Sequence, residues 1–245
     1  KNVKKTIISI LEKLKINRGN VNRNDRFSAL YRAWGHVFSN NMYGDYVEFG
    51  VYRGDSLVFS LQAHYEFMKW LKSQKKSHEE WRKKVSNRSP LNKLPQFHCL
   101  DTFDGMPDNK EGEIQFHSRS FTTSLDLVRK KVSKRNHLGI QINFYEGLFK
   151  DNESSLKDKL KRRKVVIANI DCDLKESTTD ALDSISDFLD IGSIILFDDY
   201  NAFKADNKKG QRSAFNEFRS KSKLIFEKHF SYHMCGQSFL VVDKK

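Results

Sequence analysis
Two short acidic stretches have the residue types and spacing to do chemistry, Asn169-Ile170-Asp171-Cys172-Asp173 and Phe197-Asp198-Asp199-Tyr200. Each follows an apolar, β-branched run, Val165-Val166-Ile167-Ala168 before the first and Ile194-Ile195-Leu196 before the second, so each acidic group falls where a buried strand ends. Carboxylates are costly inside a core. Placed at the carboxyl ends of two parallel strands, they would converge on the crevice where open α/β sheets bind ligands. Gathered there, they can hold a hard divalent cation or accept a proton. As helix caps and turn formers they would explain one member of each pair, but hardly all four.

The elements that must position these carboxylates follow from the apolar pattern. Residues 2–41 carry two helical stripes, Ile7, Ile8, Ile10, Leu11 and Leu14 in the first and Phe27, Leu30, Tyr31, Trp34 and Phe38 in the second, read as a helical cap over residues 1–44. The run from Asp45 to Gly50 predicts the first strand, and Val51 to Ser56 turns it into a helix carrying Leu57, Leu61, Tyr65 and Met68. A glycine-containing turn lets backbone N–H groups approach a ligand, and the helix N-terminus favours negative charge. Gly50 and Gly54 lack the G-x-G-x-x-G spacing of dinucleotide sites.

Phe97 to Leu100 reads as a second strand ending in Asp101-Thr102-Phe103. Asp101 is placed to accept hydrogen bonds from ribose hydroxyls, or to cap the turn Asp104-Gly105-Met106-Pro107. Residues 108–120 form a polar loop with His117, Arg119 and Ser120 as candidate substrate contacts. Ser124 is placed to cap a helix bearing Leu125, Val128 and Val132 that stops near Gly139. A third strand is expected over Ile140 to Tyr145, followed by Glu146-Gly147, and a helix over Lys157 to Lys164 leads into the fourth. A helix with Ala181, Leu182, Ile185, Phe188 and Leu189 inward ends near Gly192, and strand five runs from Ser193 to Phe197. A helix with Ala214, Phe215 and Phe218 precedes two strands, Leu224 to Phe230 and Ser238 to Val242, close enough to pair as a hairpin. This order predicts a doubly wound, mostly parallel seven-stranded α/β sheet with an antiparallel C-terminal hairpin over residues 45–245, and it resembles the order of elements in class I (Rossmann-like) methyltransferases.

Composition narrows the classes. With 38% hydrophobic residues the chain can bury one sizeable core, and three prolines argue against a linker-rich protein. The excess of 44 Lys+Arg over 31 Asp+Glu gives a formal charge of +13. Basic residues scattered over polar helix faces read as a solvated surface, and no regular basic stripe with interleaved aromatics points to nucleic acid. The stretch 69–95 is the most basic segment and reads as a surface helix plus loop. Cys99, Cys172 and Cys235 are odd in number and widely spaced, which fits a reducing compartment. No apolar run approaches membrane-span length and no signal-peptide core is seen, so a soluble, cytoplasmic enzyme is expected.

Five motifs together resemble the macrocin O-methyltransferase (TylF-like) family of sugar methyltransferases. They are Val47 to Gly54, Leu100 to Pro107, Glu146-Gly147-Leu148-Phe149, Ile170 to Thr178, and Phe197-Asp198-Asp199-Tyr200, in the family's order. The resemblance implies S-adenosylmethionine as donor and Mg²⁺ in the acceptor site. Carried over residue by residue, Glu48, Gly50 and Gly54 line the methionine end of the donor, with Arg53 and Ser56 on the same turn. Asp101 holds the ribose, with Thr102, Phe103, Gly147 and Asp171 completing the donor site. Asp171, Asp198 and Asp199 bind the metal, and Asp173 is the general base. Asp55, Lys175 and Asn152-Glu153 depart from the family's usual residues on the donor rim and acceptor wall.

The reading that follows is a Mg²⁺-dependent O-methyltransferase acting on a sugar hydroxyl of a glycosylated natural product or surface polysaccharide. A catechol-like acceptor meets the same need for a chelating pair of oxygens. A non-catalytic binder of anionic polymer is the reading from a different class. The helical cap could close over the site or form a homo-oligomer interface.

Overall fold
The computed structural model describes residues 18–74, 78–86, 93–108 and 116–245. The first helical stripe, Ile7 to Leu14, lies outside these residues, as do parts of the basic stretch and of the 108–120 loop. In chain order the elements are α1 (Arg18–Ser39), β1 (Asp45–Phe49), α2 (Asp55–Gln74), α3 (Glu80–Ser86), β2 (Phe97–Asp101), α4 (Leu125–Ser133) and β3 (Ile142–Glu146). There follow α5 (Phe149–Leu160), β4 (Val165–Ile170), α6 (Lys175–Ile185), β5 (Leu189–Phe197), α7 (Gly210–Lys221), β6 (Leu224–Tyr232) and β7 (Gly236–Lys244).

The strands form one sheet in the order β3-β2-β1-β4-β5-β7-β6. All neighbours are parallel except β7, which runs antiparallel to both β5 and β6. This is the seven-stranded, mostly parallel sheet with a C-terminal hairpin expected from the pattern. Every residue of β1 and of β4 is buried, as a strand covered on both faces demands. Side chains alternate between two cores along β5: Ile194 and Leu196 join Trp34, Tyr46, Leu61 and Phe97 on the α1/α2 face, while Ile195 and Phe197 join Phe49, Leu156, Leu182, Phe215 and Phe239 on the other. In α1, Leu30, Trp34 and Phe38 are buried and Tyr31 stands exposed, so the apolar stripe is narrower than the sequence pattern. Among the described residues no helix is long and apolar enough to cross a membrane, and the three cysteines form no disulfide.

Several element ends differ from the pattern. Helix α5 starts at Phe149, well ahead of Lys157, because Phe149, Leu156 and Leu160 share one buried face. Helix α6 ends at Ile185, and β5 begins at Leu189, because Leu189 already pairs with Val165. Gly192, expected as a helix stop, sits inside β5 at φ +89°, within the extra residues by which β5 bulges between its pairings with Val165 and Ile167 of β4. Strand β3 begins at Ile142, not Ile140, and α4 stops at Ser133. The Ser124 side chain makes no capping bond; its carbonyl accepts from Val128 N–H at 3.2 Å.

Candidate active site
The order of the sheet reverses between β1 and β4, and there the ladder continues past the strand ends. Gly50 N–H donates to the Leu100 carbonyl at 3.0 Å, Asp171 N–H to Phe49 at 2.8 Å, Asp198 N–H to Ile170 at 3.0 Å and Gly147 N–H to Asp101 at 3.0 Å. One residue beyond each strand is thereby fixed in a row along the carboxyl edge. Gly50 is required by this arrangement: its φ is +87°, and a Cβ there would lie 1.8 Å from the Asp171 carbonyl oxygen.

The row borders a cleft of about 1000 Å³, lined among others by Arg26, Gly50, Tyr52, Asp101, Thr102 and Met106. Leu148, Asp171, Cys172, Asp173, Leu174 and Asp199 line it as well. Asp101 clasps the turn after β1: one carboxylate oxygen accepts from Val51 and Tyr52 N–H at 2.6 and 2.7 Å, the other from Phe103 N–H at 2.7 Å. Glu48, which the resemblance places on the donor, is fully buried behind this turn, where it accepts from Tyr46 Oη at 2.7 Å and from Ser56 Oγ. Burial pushes its carboxyl up to about 7, against the pull of those two donors. Of the remaining candidates, Thr102 lines the cleft, while Arg53, Gly54, Ser56, Phe103 and Gly147 are not among its lining residues.

Asp171, Asp198 and Asp199 come together, each offering an oxygen within 4.8 Å of the others. Burial and the neighbouring acids push Asp171 and Asp199 well above the usual carboxylate range. Asp198 is buried too, but hydrogen bonds from His233 and Arg26 and their charge hold it below that range. His233 Nε2 lies 2.9 Å from Asp198 Oδ1, and Arg26 Nε donates to the same oxygen at 3.0 Å while its Nη2 takes Oδ2. Gln211, itself buried, accepts from Asp199 N–H at 2.9 Å and donates to Ile170 at 3.0 Å, fixing the turn after β5. Asp173 stands in the left-handed region at φ +58°, with its carboxyl hydrogen-bonded to Asp199 and pushed by burial up to about 7.

Pattern reasoning missed Arg26, Tyr52 and His233. Tyr52 lies inside a quoted motif, whereas nothing around Arg26 or His233 marks them locally. The three departures from the resembling family find local partners: Asp55 with Lys131 Nζ at 2.8 Å, Lys175 Nζ with Glu217 at 2.7 Å, and Asn152 Nδ2 with the Leu148 carbonyl at 3.0 Å. His117 and Ser120 bond to each other at 2.9 Å, and neither they nor Arg119 line the cleft.

Comparison with known proteins adds to this geometry. The chain is 28% identical over 172 residues to 8-demethyl-8-(2,3-dimethoxy-alpha-L-rhamnosyl)-tetracenomycin-C 4'-O-methyltransferase of Streptomyces olivaceus, covering 67% of this chain and 56% of that protein. It is 27% identical over 176 residues to demethyldecarbamoylnovobiocin O-methyltransferase of Streptomyces niveus, covering 67% and 55%. The chain thus spans about half the length of the curated relatives it matches. The solved structure of the O-methyltransferase NovP superposes with a TM-score of 0.64 at 22% identity, covering 89% of this chain and 80% of that one, a likeness of fold. The sequence profile of one family matches residues 91–228, more than half of the 245. The chain belongs to the macrocin-O-methyltransferase (TylF) family.

Proposed function
We propose that this chain transfers the methyl group of S-adenosylmethionine to a sugar hydroxyl of a glycosylated natural product or surface polysaccharide, with Mg²⁺ bound and Asp173 as general base. The observation that carries the reading is the convergence of the Asp171, Asp198 and Asp199 oxygens within 4.8 Å at the switch point of the sheet. An all-oxygen set of carboxylates in a cleft wall fits the preference of Mg²⁺, which keeps water or substrate oxygens in its remaining positions. When bound, the metal would orient two vicinal hydroxyls and lower the pKa of the reacting one.

The chain's own residues do the rest. The turn clasped by Asp101 presents the Gly50 and Tyr52 backbone to the donor, and Thr102 adds a hydroxyl to the same wall. Glu48 and Ser56, buried and bonded to each other, hold the strand and helix that flank that turn. Asp173 is held near the reacting hydroxyl and takes its proton as the oxygen attacks the sulfonium methyl. The carbon–sulfur bond breaks and S-adenosylhomocysteine leaves. The barrier is lowered chiefly by aligning the two substrates in a cleft large enough for both. The relatives' printed names, one of them a rhamnosyl 4'-O-methyltransferase, favour a sugar over a catechol acceptor.

Replacing Asp198 with Asn is expected to abolish turnover on a panel of glycoside acceptors while leaving S-adenosylhomocysteine affinity intact by calorimetry. Retained turnover removes the metal from the mechanism; no donor binding by the unaltered protein undoes the methyltransferase reading.

A further inference from the structure
We propose that Arg26 and a divalent cation are alternative occupants of the same carboxylate cage, so that loading the metal loosens the first turns of α1 at the site. This rests on the metal role proposed above. Arg26 belongs to α1, 172 residues from its partner, yet its guanidinium takes both oxygens of Asp198. The same Nη2 lies 3.9 Å from Asp171 Oδ1, so it stands between two of the three carboxylates that converge. Mg²⁺ held by these carboxylates would need their oxygens close around it, at about 2.0–2.1 Å. Nη2 fills that space, and two positive groups cannot share it without strong repulsion.

The arrangement is built, not incidental. Burial of three carboxylates within 4.8 Å of one another would be strongly unfavourable without a counter-charge, and Arg26 supplies one. Arg26 also lines the cleft, so the exchange happens in view of the substrate. A second tether sits beside it: Asp25 accepts from His233 N–H at 3.1 Å. The body of α1 is anchored elsewhere, through buried Leu30, Trp34 and Phe38. Loss of the Arg26 bond therefore loosens the first turns, which keep the Asp25 contact, and leaves the rest of the helix in place.

The test titrates Mn²⁺, followed by its paramagnetic resonance signal, into wild type, Arg26→Gln, Arg26→Lys and Asp198→Asn. Removing a competitor should tighten binding: Arg26→Gln is expected to hold Mn²⁺ roughly tenfold more tightly, the fold-change that losing one charge-assisted pair supplies. Arg26→Lys should fall between the two. In the wild type, saturating Mn²⁺ should speed amide exchange over residues 22–28 and leave residues 33–38 and β1 unchanged, a readout that needs no variant to fold. Equal or weaker Mn²⁺ binding in Arg26→Gln, or unaltered exchange in α1, overturns the inference while the metal site stands. Wild-type Mn²⁺ affinity in Asp198→Asn removes the metal site itself, and this inference with it.

Discussion
His233 shows how one side chain acquires a defined role from its two neighbours. Its Nδ1 accepts from Cys235 N–H at 3.2 Å, which leaves the proton on Nε2 to donate to Asp198 Oδ1 at 2.9 Å. Asp198 is thus oriented by a ring on the turn of the β6–β7 hairpin. His233→Ala is expected to weaken Mn²⁺ binding by about tenfold, as loss of a partner to a metal-binding carboxylate does, and His233→Gln to restore part of it. Gly50→Ala faces a harsher outcome. The left-handed backbone alone costs about 1–3 kcal/mol, and the clash with Asp171 adds to it, so the variant should melt well below wild type in a thermal scan. The carboxylates were legible as acidic residues closing apolar runs, a pattern that needs only nearest neighbours. Arg26 and His233 were not, because each acquires its meaning from a residue remote in sequence and nothing adjacent to it differs from an ordinary surface helix or turn.

At the level of elements, the turn between β1 and α2 is held by a strand it does not belong to. Asp101 closes β2, but its carboxylate caps the Val51 and Tyr52 amides of the neighbouring crossover. Both readings made of Asp101 from sequence placed it at a ligand or at its own turn. Its part in shaping the β1–α2 turn followed only from parallel pairing of β1 with β2. Asp101→Ala should lose these bonds and lower S-adenosylhomocysteine affinity at least about tenfold by calorimetry. Asp101→Asn, which keeps one acceptor, should lose less. The strands were readable because buried parallel strands are continuous apolar runs. The onset of α5 was hidden because Phe149, Leu156 and Leu160 are sparse among charged residues. Gly192 misled because a glycine after an amphipathic run marks a helix end far more often than an irregular point within a strand.

For the whole molecule, the charge of +13 and the acidity of the cleft point in opposite directions. Asp101, Asp171, Asp173, Glu176, Asp180 and Asp199 line the cleft against Arg26, Lys150 and Lys175, so its lining is acidic on balance and an anionic polymer would meet repulsion there. Stability has its own titration. His64 is buried against the edge of Trp34 with its Nδ1 unpaired, and burial drops its pKa from 6.5 to about 3. The unfolded chain takes up this proton as pH falls through 6.5, whereas the folded chain resists until about 3, so stability is complete above 6.5 and is lost progressively below it. By linkage the loss at pH 5 is about 2 kcal/mol. His64→Leu should remove that slope, and urea midpoints at pH 7.5 and pH 5 for both proteins measure it.

The reversed direction of β7 has a consequence for synthesis on the ribosome. β7 follows β6 in the chain yet lies between β5 and β6, with Ile194 facing Leu240 on one side and Glu227 facing Leu240 on the other. A nascent chain that has emerged only as far as Tyr232 carries β6 with nothing to pair to and leaves the free edge of β5, with Phe197 and Phe215 beside it, uncovered where Phe239 will later pack. The sheet is finished from the inside, and until that moment the translating polypeptide displays an adhesive strand edge of the kind that invites capture by chaperones or by another copy still being made.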